Sequence, residues 1–280
     1  IMPSASQLIE DYIKANPQLS ETSKSAYRRE ATKYGGLDMD KANARTIKKL
    51  VEESTTNPNT RASMLNIALM LLSHKHTVYD RLTDYRLQVR QDIDKMRKEK
   101  LAVALDKLPS YDYLLEQLDK MEGLQYIVNF MLIKQAFRNA DLNLMFVKNI
   151  PDSKDDNYIY LNPKTGSVKV VVNNYKTKGS YGTKNIVIDN ERLTAEMKKL
   201  KLEDGEYLFK TRDGKKPSVS YLGEIIKRLS IDGLAEANIA KVVIKHLIDQ
   251  KDFASIRDIS RSRGTSESTL LANYNLYDNK

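Results

Sequence analysis

Cysteine and tryptophan are both absent from this 280-residue chain, and histidine occurs only three times. With no thiol, disulfides, zinc–thiolate sites and cysteine nucleophiles are excluded. Three histidines leave little for a metal centre, and His74 and His76, two positions apart, point to different faces of a helix. Glycine-rich phosphate loops and Ser/His/Asp groupings are missing too, so no nucleotide, metal or other cofactor is expected. No apolar run approaches the roughly 18 residues that a membrane-spanning helix requires, and no basic-then-apolar leader opens the chain. A soluble, unsecreted protein with no membrane partner is the expectation.

What is present is positive charge. Lys and Arg number 46 against 37 Asp and Glu, a formal net charge of +9. Residues 1–105 hold 18 basic and 13 acidic side chains and the remainder 28 and 24, so the excess is spread over both halves. Spread charge of this kind favours a polyanionic partner that touches both halves, rather than one gripped by a basic tail. At 41% hydrophobic and 30% charged residues the chain is apolar enough to fold, and its length suggests two domains.

From Ser4 to about Lys100 apolar residues recur at helical spacing, broken at Gly35-Gly36 and Asn57-Pro58-Asn59. Ser20 is placed to open one helix, with Tyr27 and Tyr34 on one face, and Thr60 to cap another running through Leu65, Ala68, Leu71 and Leu72. The charged run RQDIDKMRKEK, followed by Leu108-Pro109-Ser110, puts the expected boundary near residue 104, giving domains 1–103 and 104–280. Beyond it, helices are expected at about 110–121 and 123–138. Runs rich in Val, Ile and Tyr near 157–161, 168–175 and 184–188 then predict a three-stranded antiparallel meander, before helices resume to a last one at about 267–274.

The side chains left for chemistry are arginine, lysine and tyrosine. Arginine offers a planar fork of donors to a phosphate, lysine a point charge that can deliver a proton, and tyrosine an oxygen nucleophile. Phosphodiester transesterification suits that set and needs no metal.

The order of these residues resembles that of the tyrosine recombinases of the phage-integrase type, over nearly the whole chain. Ser20 to Arg29 and Asn59 to Leu72 are loosely similar to helices of that family's N-terminal core-binding domain. Phe137-Arg138-Asn139-Ala140-Asp141-Leu142 resembles its first box, which makes Arg138 the arginine that binds the scissile phosphate. Asn174-Tyr175-Lys176-Thr177-Lys178-Gly179 resembles the hairpin whose lysine protonates the leaving 5′ oxygen, with Lys176 the first choice and Lys178 the other candidate. Arg263-Gly264-Thr265-Ser266 through Tyr274 resembles the C-terminal box, in which Thr265 stands where the family usually has histidine and Tyr274 becomes the nucleophile, with Tyr277 its nearest competitor.

The second box departs from the pattern. Where the family has His-x-x-Arg, this sequence reads Asn238-Ile239-Ala240-Lys241. Lysine keeps the charge but loses the two-pronged geometry, and loss of one phosphate clamp costs on the order of 3 kcal/mol, about a hundredfold in rate. Arg257, Arg261 and Arg263 lie nearby in sequence as DNA contacts, any of which could fill the vacancy, and His246 follows on the same helical pattern.

The resemblance implies two domains, an all-α SAM-like core-binding domain and an α+β catalytic domain with a small antiparallel sheet. It further implies a site-specific recombinase or integrase of a mobile or viral element that acts on double-stranded DNA as a tetramer assembled there, without a small-molecule substrate. The expected location is wherever that DNA is, the cytoplasm or nucleoid or a host nucleus. The degenerate second box motivates a rival: a recombinase-fold protein that binds or shapes DNA without cutting it, or a replication or packaging factor.

Overall fold

The computed structural model describes residues 4–39, 41–73 and 75–275; His74 and the stretch from Tyr277 onward lie outside them. The chain divides into two compact units, residues 1–99 and 100–280. Both this division and the expected 103/104 boundary fall within one long helix, because the charged run is helical and not a linker.

The first unit is helical: α1 (Ala5–Ala15), α2 (Glu21–Thr32), α3 (Ala44–Ser54), α4 (Pro58–Leu71) and the greater part of α5 (His76–Leu105). Ser4, Ser20, Asn43 and Asn57 each accept a backbone N–H in the first turn of the helix that follows. The cap of α4 is thus Asn57 and not the expected Thr60, since Pro58 at the first helical position needs no N–H partner. Ile9, Ile47, Met64, Leu65 and Leu72 are buried around Tyr34, whose hydroxyl donates to the Met64 carbonyl at 2.7 Å.

In the second unit α6 (Tyr111–Asp119) leads into α7 (Gly123–Lys134), which is buried continuously from Tyr126 to Ile133 and forms the axis of the core. There follow β1 (Leu144–Val147), β2 (Asn157–Leu161), β3 (Val168–Val172), the single turn α8 (Lys178–Tyr181), and β4 (Lys184–Ile188). Then come α9 (Glu191–Lys199), α10 (Val219–Leu229), α11 (Glu236–Asp249), α12 (Phe253–Arg263) and α13 (Glu267–Tyr274).

The sheet is four-stranded and mixed, not a three-stranded meander. β2, β3 and β4 pair antiparallel as expected, while β1 adds to β2 in parallel, with Leu144 opposite Asn157. Four residues are too few to show a period of two, and β1 is held from outside its own segment. Phe146 N–H donates to the Glu206 carbonyl at 2.7 Å, and Leu208 N–H to that of Leu144 at 2.8 Å.

Candidate active site

Arg138 is presented by a strained turn. α7 ends at Lys134, and buried Ala136 adopts φ +48°, a left-handed conformation that costs a residue with a Cβ. Two residues of α12 hold it. Ser262 donates its hydroxyl to the Gln135 carbonyl, and Arg263 donates Nη1–H to that of Ala136 at 2.7 Å. The backbone then extends through Arg138 into a 3-10 turn, Asn139–Leu142, with Arg138 N–H donating to Asp141 Oδ2 at 3.1 Å.

Asp141 is 0% exposed and pairs with Lys184, which is 6% exposed, through Nζ at 3.1 Å. Lys184 also donates to the Ser262 carbonyl at 2.8 Å and sits 4.0 Å over the ring of Tyr175. Burial pushes the Lys184 ammonium below its ordinary value, with Asp141 pulling the other way. Arg263, 8% exposed, donates from the same Nη1 to Glu236 Oε1 at 2.9 Å. Arg138 therefore stands among Arg263, Asp141, Glu236 and Tyr274; burial first, and then the Arg263 charge, weaken its hold on its proton.

The cluster holds three cations, Arg138, Lys184 and Arg263, against two carboxylates, Asp141 and Glu236. One positive charge is in excess inside a largely desolvated space. Among the described residues Arg138 Nη1 is buried without a hydrogen-bond partner, as is Asp141 Oδ1. A buried donor left open beside surplus positive charge has the chemistry to accept an anion, and a fork-shaped donor suits tetrahedral oxygens. No group of three or more His, Asp or Glu able to hold a metal comes together among the described residues.

The residues expected from sequence are distributed unevenly around this cluster. Arg138 and Arg263 belong to the cluster and Tyr274 lies within electrostatic reach of Arg138, half-buried as the last residue of α13 and packed on the unit's core. Lys176 is exposed and Lys178 half-buried, on the loop between β3 and β4. That loop is tied to the site where Thr177 donates to the Gly264 carbonyl and Tyr175 to that of Gly182. Half-buried Thr265 bonds through its backbone N–H to the Ser260 carbonyl at 3.0 Å.

The remaining residues make other contacts. Lys241 donates to Asn238 on its own helix at 3.1 Å, and His246 stacks on Tyr111 with ring centroids 4.2 Å apart. Arg257 and Arg261 are exposed and face Glu267 and Asp258.

Lys184 and Glu236 escaped the sequence reading. Lys184 had a signal: it shares strand parity with Ile186 and Ile188, so a lysine stands at an inward position of β4. Glu236 had none, because its partner Arg263 lies 27 residues away.

No family model and no curated protein matches this sequence. Solved structures do. The Tn1549 transposon integrase in complex with transposon right end DNA aligns at TM-score 0.60 and 11% identity, over 99% of this chain and 95% of that one. A form of the same integrase in complex with a circular intermediate DNA aligns at TM-score 0.61 and 12% identity, over 98% and 95%. The chain has the tyrosine-recombinase fold over nearly its whole length.

Proposed function

We propose that this protein is a DNA strand-transferase that cleaves and rejoins duplex DNA through Tyr274, as a site-specific recombinase or integrase. The observation that carries the reading is the buried, open Nη1 of Arg138 inside a cluster with one surplus positive charge, with Tyr274 within its electrostatic reach. A phosphodiester in that space supplies the missing acceptor and the missing negative charge. The Tyr274 oxygen attacks phosphorus and the bond to the 5′ oxygen breaks, leaving a 3′-phosphotyrosyl link. The phenolic proton passes to solvent, and the departing oxygen takes a proton from the Lys176 ammonium, or from Lys178 on the same loop. Rejoining is the reverse, and the phosphotyrosine stores the bond energy, so no nucleotide is consumed.

The helical first unit would supply further backbone contacts, in keeping with positive charge in both halves, and exchange between two duplexes would take four protomers on the DNA. The DNA complexes of the Tn1549 integrase support DNA as the partner, and double-stranded DNA is the form proposed here.

The test is covalent trapping. Nicked duplexes, chosen from a random-sequence pool by binding, should give a protein–DNA adduct that resists denaturant and disappears in Tyr274→Phe. An adduct that survives the substitution sinks the assignment. Tight, salt-dependent binding without any adduct favours the second reading, a DNA-shaping protein of recombinase fold. The bond of Lys241 to Asn238 on its own helix is what motivates that rival.

A further inference from the structure

We infer that Arg263 provides the second guanidinium of the phosphate site, taking over from the second-box position that Lys241 occupies. The inference rests on the phosphate reading above and selects Arg263 from the three nearby arginines, since Arg257 and Arg261 are exposed and face Glu267 and Asp258.

Three observations converge on it. Arg263 ends α12 and is 8% exposed, which is rare for arginine without a specific role. Its Nη1 is spoken for, donating to the Ala136 carbonyl and to Glu236, so the group is held in one orientation by two acceptors. It is also the largest cationic influence on Arg138, so two like charges share one desolvated space.

Like charges held together in a medium of low dielectric repel far more strongly than in water. Glu236 and Asp141 offset part of that, but each is already paired, with Arg263 and Lys184, and one cation remains over. A purely structural ion pair would need Glu236 and Arg263 only, and would gain nothing from Arg138 being close. A site for a tetrahedral oxyanion gains from all of them, because its oxygens can take the open Nη1 of Arg138 and the remaining donors of Arg263 together. Lys241 offers neither the fork nor a free orientation, since its ammonium bonds Asn238.

Tungstate is a suitable probe, being a tetrahedral dianion with a strong anomalous X-ray signal. Crystals of the full chain soaked in tungstate should show the ion between Arg138 and Arg263. In solution Arg263→Ala should weaken tungstate binding roughly tenfold to a hundredfold, the range for one lost charge-assisted contact. Arg263→Lys, which keeps the charge and loses the fork, should weaken it by a smaller factor. Thermal unfolding of both variants separates loss of the fold from loss of the site: weakened binding by Arg263→Lys at an unchanged melting temperature supports the inference.

Tungstate held between Arg138 and Lys241, lost in Lys241→Ala and indifferent to Arg263→Ala, would overturn it, as would no bound tungstate near Arg138 at all. The readout is an anion and not strand cleavage. A bound tungstate with no Tyr274 adduct would therefore fault the strand-transfer reading and leave the role of Arg263 intact.

Discussion

Thr177, on the loop that carries Lys176 and Lys178, donates its hydroxyl hydrogen to the carbonyl oxygen of Gly264, ten residues before Tyr274. The loop that bears the proposed acid and the helix that bears the proposed nucleophile are thus joined through one glycine. Gly264 has φ +58°, and a Cβ there would lie 2.6 Å from Tyr175 Cε2 and 2.9 Å from Thr177 Oγ1.

Gly264→Ala should break that junction. Both the left-handed backbone and the clash oppose a side chain, at a cost of roughly 1–3 kcal/mol in unfolding free energy. Urea denaturation measures the loss, and trypsin should cut faster at Lys176 and Lys178 once the loop is released. Unchanged stability together with an unchanged cleavage rate would show that the junction does not hold the loop.

Lys184→Met should destabilise strongly, because it leaves Asp141 charged, buried and without its cation. Breaking one partner of a buried pair costs about 3–5 kcal/mol, whereas removing both costs much less. The double variant Lys184→Met with Asp141→Asn should recover part of the loss in urea denaturation. A double variant less stable than Lys184→Met alone contradicts the pairing.

Lys184 also sets a pH dependence. Burial holds its folded value below the ordinary 10.5, so the unfolded chain binds that proton more tightly. Its contribution to stability is therefore present above the unfolded value and is lost as pH falls through the folded one. Between those two values wild type should gain stability with rising pH relative to Lys184→Met. A difference between the two proteins that stays flat up to pH 10.5 would refute the shift.

Glu196 should set an acid limit. It accepts Lys199 Nζ at 2.7 Å and Gly123 N–H at 2.6 Å, and these bonds, the lysine's first, hold its carboxyl below the ordinary 4.5. The stabilisation is full above 4.5 and disappears as pH falls through the lower folded value. Glu196→Gln should flatten the acid side of the stability profile in thermal melts taken between pH 2 and 6; an equally steep profile in the variant would count against it.

Asn157→Ala should loosen the site from beneath. This 2%-exposed side chain accepts the N–H groups of Asn173 at 2.8 Å and Asn174 at 2.7 Å, and donates to the Ala140 carbonyl at 3.2 Å. It ties the Arg138 turn to the start of the lysine loop. Leaving those backbone groups unsatisfied should cost on the order of 2–3 kcal/mol, read as a lower urea midpoint.

Much of the fold was legible because it is written in local spacing. The helical first unit, α6, the β2–β4 meander and α13 follow from apolar period, capping residues and turns, each a matter of a few neighbours. α7 was legible as a helix, but its end was not. It stops at Lys134 because Ser262 and Arg263 capture the next two carbonyls from more than a hundred residues away. β1 escaped for the same kind of reason, being held by β2 and by the strand-like pairing at Tyr207.

By itself the sequence determined the order of elements, the surplus of positive charge and the short lengths of chain around Arg138, Lys176 and Tyr274, since those depend on residues close together along the chain. Only the tertiary structure decided which charges meet. Lys184, Glu236 and Arg263 come within electrostatic reach of Arg138 across separations that no local pattern encodes, and Lys241 turns to Asn238 instead. In a desolvated cluster the energy depends on distances between whole charges, and those distances exist only once β4, α11 and α12 have packed around the turn that presents Arg138.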